Sequence, residues 1–121
     1  MFLELSHTKL DVFQVSKVLV KACYTQTKSF PTDERFGMIS QIRRAALSVH
    51  LNIAEGCSRK SLKERRRFYE IARGSLIEVD TALDIAVELN YKTMQELETL
   101  GQLMTRCFQL ISKMISYERV S

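Results

Sequence analysis

Apolar residues recur every three or four positions along four successive stretches of this chain, a spacing that commits it to helices packing through one face each. The first stripe is Val12, Val15, Leu19 and Ala22, and Phe13, Val18, Val20 and Cys23 widen it. So broad an apolar surface exceeds what one seam of a bundle needs, and implies a second burial surface such as a subunit contact. The second stripe is Ile39, Ile42, Ala46, Val49 and Ile53. Within it, Leu47 to Ile53 alternates apolar and polar as a strand would, but the helical stripe begins ten residues earlier and no turn signal intervenes. The third is Phe68, Ala72, Ser75, Leu76, Val79, Leu83 and Ala86. The fourth is Leu97, Leu100, Met104, Cys107, Ile111 and Met114.

The ends are marked as clearly. Asp11 with Gln14, Ser61 with Glu64 and Thr93 with Glu96 have capping-box spacing, and Leu10 with Val15 has that of a hydrophobic staple. Phe30-Pro31 ends the first helix. Thr32, Asp33 and Glu34 suit the start of the second, acids being favoured at the positive end of the dipole. Gly56 to Lys60 ends the second helix, and Asn90 suits the left-handed position after the third. These signals predict helices at about 11–28, 33–57, 62–89 and 94–117. Short loops make neighbours antiparallel. The expected fold is all-α, an up-down four-helix bundle forming one domain over residues 1–121. Four glycines and one proline are too few for an all-β fold.

Cys23, Cys57 and Cys107 are far apart and form no C-x-x-C pair, which fits free thiols in a reducing cytoplasm. The first nine residues have neither the basic start nor the apolar core of a secretory leader. No apolar run approaches the roughly 18 residues of a membrane span. Neither a membrane nor a cofactor is expected.

The net charge of +4 hides a strong polarity. Residues 1–34 are neutral, and residues 74–121 carry −3. Residues 35–73 hold ten basic and three acidic side chains, net +7. The densest part is Arg59-Lys60-Ser61-Leu62-Lys63-Glu64-Arg65-Arg66-Arg67-Phe68-Tyr69. Six cations there surround the start of a helix, where the dipole prefers acids. A local rule broken without structural gain marks function. Phosphate is the natural partner of clustered arginine. Arg43, Arg44, Arg59, Lys60, Lys63, Arg65, Arg66 and Arg67 are therefore the candidate nucleic-acid contacts. Phe68 and Tyr69 could stack on bases, although Phe68 lies on the core stripe.

No P-loop, G-x-S-x-G or G-x-G-x-x-G occurs, and no enzymatic activity is expected. Glu4-Leu5-Ser6-His7 matches E-x-x-H, but the di-iron bundles that use it need a second copy and two more carboxylates. His50 reads as a hydrogen-bonded or interface histidine. A helix-turn-helix over Ile53 to Arg67 is a rival DNA-binding reading. It places Asn52, Glu55 and Arg65 where apolar residues should pack.

The stretch Ser40-Gln41-Ile42-Arg43-Arg44-Ala45-Ala46-Leu47-Ser48-Val49, then Asn52-Ile53-Ala54-Glu55-Gly56, resembles the signature of the 23S rRNA intervening-sequence proteins. The likeness continues through Ser58 to Ser61, Glu64, Phe68, Ile71-Ala72 and Gly74-Ser75-Leu76. Leu10 to Gln14 and Phe30-Pro31 with Glu34 to Gly37 add to it, so that it covers about residues 9–117. The resemblance implies a four-helix bundle assembling as a ring-shaped homopentamer, without established catalysis. It also implies kinship with retroelement accessory variability proteins, which are basic pentamers that bind nucleic acid and a reverse transcriptase. Two positions depart from the family: His50 stands where proline is common, and Arg65 where an apolar residue is usual.

The function expected from these readings is non-enzymatic binding of nucleic acid, structured RNA above all, by an oligomeric bundle. The alternative is a protein-interaction scaffold that docks an acidic partner.

Overall fold

The computed structural model describes residues 1–120, with side chains through Tyr117. Four helices fill it: α1 (Asp11–Thr27), α2 (Met38–Ser58), α3 (Leu62–Glu88) and α4 (Glu98–Val120). Short 3-10 turns at Ser6–Lys9 and Thr32–Glu34 precede α1 and α2. No strand occurs among the described residues. Leu47 to Ile53 is helical, and α2 runs unbroken through His50.

Cross-links establish that neighbours are antiparallel. Ser16 meets His50, and Arg43 reaches back to Thr27, so α1 and α2 run in opposite directions. Gln41 with Glu78, Ser48 with Ser75 and Cys57 with Tyr69 do the same for α2 and α3. Gln26 bonds the Glu96 carbonyl and Arg106 pairs with Asp11, so the chain entering α4 runs opposite to α1, and Arg73 lies over Phe108 between α3 and α4. This side-by-side course of α2 and α3 differs from the steep crossing of a helix-turn-helix.

The core follows the stripes, with three shifts. In α1 the buried line is Val12, Ser16, Leu19, Cys23 and Thr27. Cys23 thus belongs to the seam itself. Phe13, Val15, Val20 and Ala22 pack along its flanks, which leaves Val18 outward. Most of the excess breadth of α1 is consumed within the chain. In α4, Ile115 rather than Met114 closes the buried line. In α3 the line starts at Tyr69, which is buried, while Phe68 is only half-buried.

Gly56 explains the third shift. A Cβ there would lie 2.5 Å from Cε1 and 2.8 Å from Cδ1 of Tyr69. The bare α-carbon is therefore the seat of the Tyr69 ring, and the Tyr69 hydroxyl lies 3.5 Å from the Cys57 sulfur.

The helix ends depart from expectation in instructive ways. Leu10, not Asp11, precedes α1 and has no side-chain cap. Gln14 donates to the Thr8 carbonyl at 2.7 Å instead, and Asp11 is drawn to Arg106. The second helix begins at Met38 rather than near residue 33. The chain makes a separate 3-10 turn first, and Glu34 Oε1 then accepts the Met38 N–H at 3.2 Å. The other oxygen of Glu34 accepts the Tyr91 hydroxyl at 2.8 Å, which pins this turn to the α3–α4 loop. Asn90 is left-handed at φ 62°. Its N–H bonds the Val87 carbonyl and that of Tyr91 bonds Ala86, completing a Schellman motif. Ser61 caps α3 by accepting the Glu64 N–H at 3.3 Å. Thr93 and Glu96 form both bonds of their capping box, but close a loose turn before α4 becomes regular at Glu98.

Buried polar groups are satisfied. Thr27 donates to the Cys23 carbonyl and accepts from Arg43 Nε. His50 Nδ1 lies 2.7 Å from Ser16 Oγ, and its ring packs 4.3 Å from that of Phe13. Burial lowers the His50 pKa, with Lys17 and His7 adding repulsion.

Two tests follow from the packing. Gly56→Ala should destabilise, because about 1–3 kcal/mol of overpacking exceeds the gain of up to about 1 kcal/mol in helix propensity. Gly74→Ala and Gly101→Ala meet nothing within 4 Å and should instead raise the urea midpoint. The lowered His50 pKa gives stability that is full above the free imidazole value of about 6.5 and is lost as pH falls through the folded value. His50→Gln should therefore flatten the decline of the urea midpoint between about pH 7.5 and 5.

Candidate nucleic-acid interface

Three residues, Arg59, Lys60 and Ser61, join α2 to α3 and turn the chain through about 180°. The turn and the first two turns of α3 bring Arg59, Lys60, Lys63, Arg65, Arg66 and Arg67 to one end of the bundle. Glu64 within this stretch and Glu55 on the last turn of α2 are each matched to one arginine. Glu55 meets Arg59 at 2.6 Å, and Glu64 meets Arg67 at 3.3 Å. Both are exposed helical-spacing pairs, worth little to stability. Lys60 and Lys63 are exposed, with no ion-pair partner among the described residues.

The cluster has internal order. Arg65 Nε donates to the Arg59 carbonyl at 2.7 Å, so an α3 side chain closes the end of α2. Arg59 also lies 4.9 Å above the centre of the Phe68 ring, and Arg67 5.2 Å from it. Phe68 is therefore part of the charged surface rather than of the core. Sequence periodicity missed this, because residues three and four before Ala72 fit its face equally well. Gly56, lying across α2, was the available signal.

The other two candidates lie elsewhere. Arg43 and Arg44 are 15 to 16 residues before Arg59 on α2, about 22–24 Å along the axis. Arg43 is committed to α1: it donates to Thr27 Oγ1 at 2.9 Å and to the Tyr24 carbonyl at 3.3 Å, and covers the Tyr24 ring at 4.6 Å. Arg44 is exposed on the flank. The eight residues thus divide into a cluster of six, one interhelical strut and one outlying cation.

At the other end of the bundle lie Asp84 and Glu88 in the last turns of α3, and Glu96 and Glu98 before and on α4. The charge polarity of the sequence is therefore a polarity of the folded body.

Two of the three thiols are buried. Burial pushes the thiols of Cys23 and Cys107 up to about 12. His7 stacks edge-on against Phe13 at 5.1 Å. No group of three or more His, Cys, Asp or Glu able to hold a metal occurs among the described residues. No helix among them is long and apolar enough to cross a membrane.

Comparison with solved structures finds a similar chain of unknown function in the S23 ribosomal protein family of Bacteroides thetaiotaomicron. It superposes with a TM-score of 0.77 at 21% identity, over 86% of this chain and 97% of that one. The likeness establishes a shared fold. A comparison with curated proteins finds no match. The family model of the 23S rRNA-intervening sequence protein matches residues 8–115. With nearly the whole chain covered, and the four helices placed as described, the chain belongs to the 23S rRNA-intervening sequence protein family.

Proposed function

We propose that this protein is a non-enzymatic, cytoplasmic RNA-binding bundle that grips the phosphate backbone with the α2–α3 end. One observation carries the reading: six cations occupy nine residues around the start of α3, against one acid, Glu64. Lys60 and Lys63 are exposed and make no ion pair among the described residues, so neither the helix nor the core gains from them. Lys63 stands in the first turn of α3, where an acid would be favoured by about 0.3–1 kcal/mol. Converging N–H donors on arginine and the free amides of the helix start are both suited to phosphate oxygens. Structured RNA is favoured over DNA by the family's association with rRNA. The unpaired cysteines support a reducing compartment.

Self-association belongs to the same proposal. A homo-oligomer, pentameric as the family resemblance implies, would multiply weak phosphate sites by avidity. Val18 on α1 and Leu47 and Leu51 on α2 remain outward and offer apolar contact area for it. The competing reading has the basic pole dock an acidic protein, or a reverse transcriptase, in place of RNA.

Lys60/Lys63/Arg66→Glu is the informative variant, since none of the three makes an ion pair among the described residues. Wild type should bind a structured RNA with an affinity that falls about 10³-fold between 50 and 200 mM salt, as about six phosphate contacts require. The variant should lose most of this binding and most of the salt slope, while melting no lower than wild type. Equal binding by the two proteins would refute the reading. Light scattering at micromolar concentration should give a multiple of 14.0 kDa. A mass of about 70 kDa corresponds to the pentamer, and a monomer refutes self-association.

A further inference from the structure

Given the nucleic-acid reading, on which this inference rests, we propose that Phe68 is a stacking platform for a single unpaired base. The ligand is then a nucleic acid with an unstacked segment beside its phosphates, such as a loop, bulge or free end, and not a continuous duplex.

The geometry points to this through the unequal hold on two guanidiniums. Phe68 is kept out of the core because Tyr69 occupies the seat at Gly56. Its ring is covered by Arg59 at 4.9 Å and Arg67 at 5.2 Å. Arg59 is anchored by Glu55 at 2.6 Å, and the backbone carbonyl of the same residue is held by Arg65. It is a fixed wall. Among the described residues Arg67 is tied only to Glu64 of its own helix, at 3.3 Å, and its side chain is 63% exposed. It is a displaceable cover.

An exposed cation–π contact contributes about two- to fivefold to an equilibrium. A base stacked on an aromatic ring contributes about five- to hundredfold in affinity. Exchange of the Arg67 guanidinium for a base therefore favours the base. The displaced cation stays within reach of the adjacent phosphates, and Lys63 and Arg66 flank the same turn of α3. The bases of an A-form duplex are stacked and lie in a groove that side chains do not read. Such a duplex would meet only the cations.

The test uses the full chain, with oligouridylate and a blunt RNA duplex of equal length as probes, followed by fluorescence anisotropy at one salt concentration. Phe68→Leu should weaken binding of the single strand about five- to hundredfold and leave the duplex within about twofold. Phe68→Tyr keeps a stacking face and should restore single-strand binding, which separates stacking from folding. Equal effects of Phe68→Leu on both probes, or none on either, overturn the platform. If Lys60/Lys63/Arg66→Glu abolishes binding of both probes while Phe68→Leu changes neither, the platform fails and phosphate binding stands. If wild type binds neither probe, both fail.

Discussion

The contact between Tyr69 and Gly56 determines what the rest of this end of the molecule presents. An aromatic ring seated directly on the α2 backbone fixes how α3 is rotated and how far it slides along α2. Any side chain at position 56 would intrude within 3 Å of that ring. With Tyr69 inward, its neighbour Phe68 must lie about 100° around the helix, on the edge facing the Arg59 turn. The guanidiniums of Arg59 and Arg67 then have an aromatic surface to cover. One small residue in α2 thus decides which of two adjacent aromatics is core and which is surface.

The basic pole is tolerated because the two ends of the bundle are secured differently. At the acidic end, one carboxylate joins three elements: Glu34 accepts from Met38 at the start of α2 and from Tyr91 in the α3–α4 loop, and Tyr91 leans on Phe30 at 5.5 Å. Gly37 leaves room for that carboxylate, since a Cβ there would come within 2.7 Å of Glu34 Oε1. At the basic end, electrostatics opposes the helix start, and geometry compensates through the Ser61 cap, the Arg65 bond to the Arg59 carbonyl and the ring of Tyr69. The repulsion among six cations is screened by water and salt, whereas these contacts are short-ranged and are not.

Much of this architecture was legible in the residues. The stripes of α2 and α4 emerged almost residue for residue, because a 3.6-residue period has one solution when small and large apolar side chains alternate with charge. Asn90 and Ser61 behaved as their chemistry requires. Asp11 did not, because a long-range partner, Arg106, competes for its carboxylate. The start of α2 was misplaced because Thr32, Asp33 and Glu34 are equally good in a 3-10 turn, and only the Glu34–Met38 bond reveals where the ladder begins. The candidate site was legible as a charge run but not as a surface. Arg43 has the composition of a phosphate contact, yet it is held by Thr27 and Tyr24, sixteen or more residues earlier in the chain. Partners that distant leave no local trace.

Arg43 and Arg59 show what separates a structural arginine from one available to a ligand. Both lie over an aromatic ring, at 4.6 and 4.9 Å, and both have a second polar partner. Arg43 gives its Nε to a buried hydroxyl, which would lose its donor if the arginine moved, and an Nη to a backbone carbonyl. Arg59 gives its Nη2 to an exposed carboxylate that water can solvate equally well. Displacing Arg43 leaves the buried Thr27 hydroxyl without its donor, a cost of about 1–3 kcal/mol, whereas displacing Arg59 from Glu55 costs under about 1 kcal/mol. Exposure of the partner, more than exposure of the arginine, therefore sorts the cations of this bundle into struts and contacts, and it assigns Arg67, whose partner Glu64 is also exposed, to the contacts.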